Sequence, residues 1–301
     1  MAALSLDSLR GTLKQREPMS RHTTWRVGGP ADRFYQPADR EDLAAFLAML
    51  PADEPLYWCG LGSNLLLRDG GLRGTVIFLS PGLTALRCQG NRGVWADAGV
   101  ACAKVARFAA RHDLVGAEFL AGIPGTMGGA LAMNAGAFGG ETWRVVTEVE
   151  TVDRQGRLHR REPSDFQVGY RHVQGQPEEW FTGVLLTLEA GDGGQAMTRI
   201  RALLDRRAAT QPIGKPSCGS VFRNPTGDHA ARLIESAGLK GARIGGAHVS
   251  DKHANFIIND GSATAADIER LVEHVRETVL ETHGVSLWPE VRMIGEEASN
   301  D

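Results

Sequence analysis

The sequence predicts a mixed α+β chain arranged as three lobes, and three observations predict it. Short β-branched and aromatic runs alternate with helical stripes of apolar residues. The chain's 37 glycines gather into discrete clusters between those elements. A Pro/Gly-rich stretch, Thr210-Gln211-Pro212-Ile213-Gly214-Lys215-Pro216, separates a last lobe from what precedes it. The expected divisions are 1–80, 81–209 and 210–301, and a length of 301 residues is enough for two or three compact units.

Residues 1–20 read as a short helical or loose lead-in, with Leu4, Leu6, Leu9 and Leu13 as packing points. The polar, glycine-rich stretch His22–Gly29 follows. Asp39 is placed to cap a helix through Leu50, with Leu43, Phe46, Leu47 and Leu50 on one face. Leu56–Cys59 and Thr75–Leu79 read as strands around a glycine-rich loop. Val94–Ala98 reads as a strand and Cys102–His112 as a helix. Residues 145–160 predict a hairpin turned at Asp153–Gly156, and Val184–Leu188 a further strand. A helix is expected from about Ala196 to Ala208. In the last lobe, Ser220–Arg223 and Asn255–Asn259 read as strands, and His229–Ala237 as a helix ending near Gly238. The strongest helix runs from about Ala265 to Thr282. Thr264 caps it, Asp267 completes a capping box, and Ile268, Leu271, Val272, Val275 and Val279 form its buried stripe. A strand near Val291–Ile294 closes the fold.

Composition narrows the function. A net charge of -3, with both signs interspersed, gives no electrostatic case for nucleic acid or an anionic membrane as partner. Cys59, Cys88, Cys102 and Cys218 form no C-x-x-C pair, so reduced and mostly buried thiols are expected. His248 and His253 lack partners at ligand spacing, and no metal site is expected. Met1–Glu17 has no apolar signal-peptide core, and no run is long enough to span a bilayer, so the cytoplasm is the expected compartment.

Two glycine-rich segments carry the chemistry. Gly60, Leu61, Gly62, Ser63, Asn64 and Leu65 directly follow an apolar strand. Small residues there let consecutive N–H groups converge on an anion, with Ser63 and Asn64 adding donors. The spacing fits neither a dinucleotide fingerprint nor a P-loop, and a plain tight turn remains the alternative. The second segment is Gly122, Ile123, Pro124, Gly125, Thr126, Met127, Gly128, Gly129, Ala130, continuing to Asn134, Ala135 and Gly136. Seven glycines fall between 122 and 140. Either a flat ring or pyrophosphate lies against this backbone, or a helix and strand pack closely there.

Together with His22–Gly29, these segments resemble the FAD-binding half of the UDP-N-acetylenolpyruvoylglucosamine reductase (MurB) family. The likeness continues through Val168-Gly169-Tyr170-Arg171, Cys218-Gly219-Ser220-Val221-Phe222-Arg223-Asn224-Pro225 and Trp288-Pro289-Glu290-Val291-Arg292, so it spans roughly Thr23 to Gly295. The stretch between Arg171 and Val184 is short, and no later insertion carries a lid tyrosine, so the chain resembles the shorter, second type. Arg223 stands where the family usually has lysine.

The resemblance implies a two-lobed FAD-binding domain of the vanillyl-alcohol-oxidase/PCMH type and a C-terminal α+β substrate-binding domain. It implies non-covalent FAD, with the pyrophosphate at Gly60, Gly62, Ser63, Asn64 and Leu65 and the flavin against Gly122–Gly136. NADPH is the implied hydride donor and UDP-N-acetylglucosamine enolpyruvate the substrate, in peptidoglycan biosynthesis, with a monomer expected. Hydride delivered to the enolpyruvyl terminal carbon leaves charge that spreads into the neighbouring carboxylate. Arg171 would clamp that carboxylate. Glu290, kept protonated by burial, would donate to the developing oxyanion, and Ser220 would protonate the carbon. Tyr170 and Asn224 are expected on the substrate side. Roles for Glu235, Lys252 and His253 stay open. The alternatives are another non-covalent FAD oxidoreductase of this fold, or a non-catalytic nucleotide-sugar sensor.

Overall fold

The computed structural model describes residues 9–80 and 82–298. Leu4 and Leu6, expected packing points, lie outside them. The chain divides into two compact units, each assembled from separated segments. Of the described residues, the first takes those within 1–14, 33–60 and 75–206, and the second those within 15–32, 61–74 and 207–301.

One sheet has the strand order Thr12–Pro18, Pro30–Gln36, Leu72–Phe78, Leu56–Cys59. Its last two strands are parallel, with Leu56 opposite Thr75 and Cys59 opposite Phe78. Helix α1 (Arg40–Met49) begins at Asp39, whose side chain accepts from the Asp42 N–H. In the first unit, Leu43, Phe46 and Leu47 of α1 pack with Tyr35 and Ile77, and the Tyr35 and Phe46 rings stack with centroids 3.7 Å apart.

The first unit also holds a five-stranded antiparallel sheet. Its order is Leu158–Arg161, Val146–Asp153, Glu179–Thr187, Gly93–Asp97, Leu86–Gln89. Helix α2 (Cys102–Arg111) buries Cys102, Val105, Ala106, Ala109 and Ala110, which is the helical repeat of one face. These residues form a core with Val94, Ala96, Val149, Val184 and Leu186 from the sheet. Helix α3 (Met127–Met133) adds Met127, Ala130 and Leu131, and helix α4 (Gly193–Thr210) adds Ala196 and Ile200.

In the second unit, helices α5 (Ala230–Ser236) and α6 (Ala265–His283) pack on a three-stranded sheet of Arg243–Ile244, Ala247–Val249 and Ile257–Asn259. Leu65–Leu67 pairs in parallel with Arg292–Ile294. The core draws in Trp25, Val27 and Leu66 as well. The α6 capping box is formed by Thr264 and Asp267, and Gly284 ends the helix at φ +66°. Asp69 adds a second carboxylate there, accepting from the Ala265 and Ala266 N–H groups at 3.0 Å each.

Three expectations are corrected. The lead-in is not helical or loose from residue 12 onward: Thr12–Pro18 is a strand at a sheet edge. Its side chains are mostly exposed, so the backbone ladder rather than an apolar stripe holds it. Ser220–Arg223 is not a regular strand; it makes one isolated bridge, Phe222 to Pro289. Part of the bare segment 122–136 is the helix α3, with Gly128 and Gly129 in its first turn. Gly128 is there for close packing, since its N–H reaches the Ala98 carbonyl at 2.8 Å and an added Cβ would lie 3.0 Å from the Ala98 Cβ. Among the described residues no helix is long and apolar enough to cross a membrane.

Candidate active site

The expected site residues fall in both units, and each unit is built by itself. In the first, the strand Leu56–Cys59 ends at Gly60, where an added Cβ would overlap the Thr126 hydroxyl. Thr126 is 2% exposed, and its Oγ1 caps α3 by accepting from the Gly129 N–H at 3.5 Å. The segment Gly122–Thr126 is tied down by the Cys102 N–H to the Gly125 carbonyl (2.9 Å) and the Met127 N–H to the Val100 carbonyl (2.8 Å). Gly122 and Ile123 are buried, while Pro124 and Gly129 are exposed.

Helix α3 ends at Asn134 in the left-handed conformation, φ 41° and ψ 51°. Its carboxamide is committed within the protein. Nδ2 donates to the Gly169 carbonyl at 3.1 Å, and Oδ1 accepts from the Trp143 N–H at 3.2 Å. Gly169 and His172 face each other across a hairpin whose two-residue loop is Tyr170-Arg171. Arg171 has φ +54°, a turn position that glycine ordinarily fills. Its guanidinium donates to the Gly136 carbonyl at 3.3 Å and the Asn134 carbonyl at 3.5 Å, and lies 5.5 Å from the Tyr170 ring centre. Arg16, Arg26 and Glu178 share this positive φ, so the backbone alone does not single Arg171 out; its contacts do. The structure therefore brings Arg171 beside the Asn134–Gly136 end of the second glycine segment.

In the second unit, Gly62 is buried at φ +62°. An added Cβ would overlap the His22 carbonyl oxygen and lie 2.7 Å from the Thr23 Cα. Its own carbonyl accepts from the Thr24 N–H at 3.2 Å. That contact explains why His22–Gly29 and the loop occur together. Asn64 then donates from Nδ2 to the Glu290 carbonyl (3.2 Å), and its carbonyl accepts from the Arg292 N–H (3.0 Å). The Glu290 N–H donates to the Val221 carbonyl at 2.7 Å, and the Arg223 N–H to the Trp288 carbonyl at 2.9 Å. The segments bearing Asn64, Ser220 and Glu290 are thus neighbours. Ser63, Leu65, Ser220 and Glu290 are half-buried, and Asn224 is exposed with its Oδ1 accepting from the Ala230 N–H at 3.1 Å. Burial raises the Cys218 thiol pKa above its ordinary value, so this cysteine is inert packing.

Sequence reasoning missed Asn255. It is 3% exposed and bonded to both backbone groups of Phe222. A polar residue inside the apolar run Ala254–Ile258 was the available signal. Glu235 pairs with Lys240 at 2.6 Å and Lys252 donates to the Ala208 carbonyl at 2.5 Å, which gives these open positions structural partners.

The residues fit a flavin nucleotide in kind. A Cβ on Gly139 would meet nothing within 4 Å, and one on Gly129 only the Thr126 Oγ1 at 3.8 Å. Backbone at Gly129 and Gly139 is therefore uncovered, while the Met127, Gly128 and Gly129 N–H groups at the start of α3 are already bonded to the Val100 carbonyl, the Ala98 carbonyl and the Thr126 Oγ1.

Residues 211–294 match the family described as the UDP-N-acetylenolpyruvoylglucosamine reductase C-terminal domain, and residues 31–161 match a FAD binding domain. The UDP-N-acetylenolpyruvoylglucosamine reductase of Alkalilimnicola ehrlichii is 64% identical, over 96% of this chain and 97% of its own. The protein of the same name from Methylococcus capsulatus is 60% identical, over 98% and 97%. The crystal structure of UDP-N-acetylenolpyruvylglucosamine reductase (MurB) from Thermus caldophilus is similar with a TM-score of 0.81 at 34% identity, over 95% of this chain and 99% of that one. Relatives of this identity, matched over nearly their whole length, leave one assignment: the chain belongs to the UDP-N-acetylenolpyruvoylglucosamine reductase family.

Proposed function

We propose that the protein reduces UDP-N-acetylglucosamine enolpyruvate to UDP-N-acetylmuramate at the expense of NADPH, in the cytoplasm and as a monomer, for peptidoglycan synthesis. The observation that carries this reading is the 64% identity to a named reductase across 96% of the chain, with Arg171, Ser220 and Glu290 all present. The sequence division gives residues 1–80 and 81–209 to FAD binding and 210–301 to the substrate, with residues 15–32 and 61–74 folding in the same unit as the last of these. FAD, when bound, supplies the hydride chemistry.

The chain's own residues do the rest. Backbone N–H groups of Gly60–Leu65, with Ser63 and Asn64, hold the pyrophosphate. The segment Gly122–Gly136 offers bare backbone to a flat ring, and Thr126 and Asn134 fix its shape. Arg171 binds the substrate carboxylate, and its left-handed turn aims the guanidinium before substrate arrives. Glu290, protonated, donates a hydrogen bond to the same carboxylate as charge develops there. Ser220 transfers its hydroxyl proton to the carbon next to the carboxylate. Tyr170 and Asn224 contact the substrate.

The test is a flavin spectrum of the purified protein followed by NADPH oxidation with the enolpyruvyl sugar. A yellow protein that releases FAD on denaturation and turns over NADPH only with that sugar is the expected result. A protein that takes up no FAD refutes the reading.

A further inference from the structure

We infer that Asn255 is a positioning residue for proton delivery, acting through the backbone of the segment that carries Ser220; this rests on the role given to Ser220 above. Phe222 faces Pro289 across the isolated bridge. The bonds beside that pair are the Arg223 N–H to the Trp288 carbonyl and the Glu290 N–H to the Val221 carbonyl. The bridge is therefore the pair that exchanges no bonds, and the missing N–H of Pro289 costs it nothing. The same geometry turns the N–H and carbonyl of Phe222 to the opposite edge.

Among the described residues no strand lies on that edge. The Asn255 carboxamide takes its place, with Oδ1 accepting from the Phe222 N–H at 2.9 Å and Nδ2 donating to the Phe222 carbonyl at 2.8 Å. The Asn255 backbone carbonyl accepts from the Val221 N–H at 2.9 Å. Val221, Phe222 and Asn255 are 0%, 2% and 3% exposed, so water cannot replace these bonds. The Asn255 side chain thus holds Phe222, and its backbone carbonyl Val221, on the edge opposite the segment bearing Glu290. Ser220 enters that clamp directly, and its hydroxyl position follows from it. A carboxamide is needed because the job takes one acceptor and one donor side by side.

The test uses the holoenzyme and separates two half-reactions by stopped flow: flavin reduction by NADPH, and flavin reoxidation by UDP-N-acetylglucosamine enolpyruvate. In Asn255→Ala, reoxidation is expected to fall about 10²-fold, the order expected for misplacing a reacting group by about 1 Å. Reduction should hold within about twofold, and the solvent isotope effect on reoxidation should rise, because proton transfer now limits it. Hydrogen exchange should show lost protection in the peptide holding Val221 and Phe222.

Asn255→Asp supplies a second variant should Asn255→Ala fold poorly. Its carboxylate cannot donate to the Phe222 carbonyl, but its neutral acid can. Reoxidation relative to the unmodified protein should therefore recover as pH falls, with reduction unaffected. Equal loss in both half-reactions, or no recovery at low pH, overturns the inference. So does a normal reoxidation rate in Asn255→Ala beside a slowed Ser220→Ala. If Ser220→Ala itself reoxidises normally, the proposed role of Ser220 fails and the inference falls with it.

Discussion

Replacing Gly60 with alanine should damage the first unit only as long as Thr126 keeps its hydroxyl. An alanine Cβ at residue 60 overlaps Oγ1 of Thr126 and lies 3.2 Å from Cγ2 and 3.3 Å from Cβ. Thr126 is fully packed, so it has no room to turn away, and overpacking of this kind costs about 2 kcal/mol. Thr126→Ala removes the α3 cap. That bond is long, 3.5 Å, so the loss should not exceed the typical value of about 1 kcal/mol. Independent effects would sum to about 3 kcal/mol. In the double variant the hydroxyl and methyl are gone and only the 3.3 Å approach to the residue 126 Cβ remains, so a loss of about 1.5 kcal/mol is expected. Urea unfolding of the four proteins measures the coupling, about 1.5 kcal/mol with the double variant better than the sum. Additivity within about 0.5 kcal/mol would refute the claim that Gly60 is small in order to seat Thr126.

Further outcomes follow from the same geometry. Arg171→Gly should relieve the left-handed turn, leaving unfolding free energy unchanged or raised by up to about 1 kcal/mol, while kcat falls about 10²–10³-fold; a destabilised hairpin would contradict the strain argument. Asp267 is 8% exposed, and the Thr264 N–H, with Arg270, holds its pKa below the usual carboxylate value. Its contribution is therefore complete above about pH 4 and lost as pH falls through the depressed folded value. The Tm difference between the protein and Asp267→Asn should shrink on acidification, and a gap that stays constant would count against it. Cys59, Cys102 and Cys218 are buried, and burial pushes the Cys102 thiol up to about 12, so a thiol reagent should label Cys88 alone in the native protein. Rapid labelling of a second cysteine would contradict that burial.

Local signals made some elements readable from sequence. Helix α6 announced itself through Thr264, Asp267 and a five-residue stripe, all within one segment. Helix α2 did so by its period, and Leu56–Cys59 by its apolar run. The strand Thr12–Pro18 had no such signal, because an edge strand with mostly exposed side chains leaves no alternation to read. Helix α3 hid behind Gly128 and Gly129, residues that usually argue against a helix. Motif spacing singled out Ser220 and Glu290 as candidates, but not what binds their segments together. The Asn255–Phe222 bonds join residues 33 apart, and nothing near either residue encodes the pairing. Nor does sequence reveal that Arg171 sits at positive φ, since its neighbours would suit an ordinary turn.

The core of the second unit has a consequence for how the protein is made. Trp25 is fully enclosed there, and its indole N–H reaches the Ile257 carbonyl, 232 residues later. At roughly 5–20 residues per second, a ribosome takes on the order of 10–50 s to close that gap. Throughout that interval an apolar indole waits without its pocket, open to chaperones or to mispairing. Conversely, a fragment limited to residues 211–294 would emerge with a hole where the indole belongs, and should aggregate unless a peptide spanning residues 15–32 is supplied alongside it.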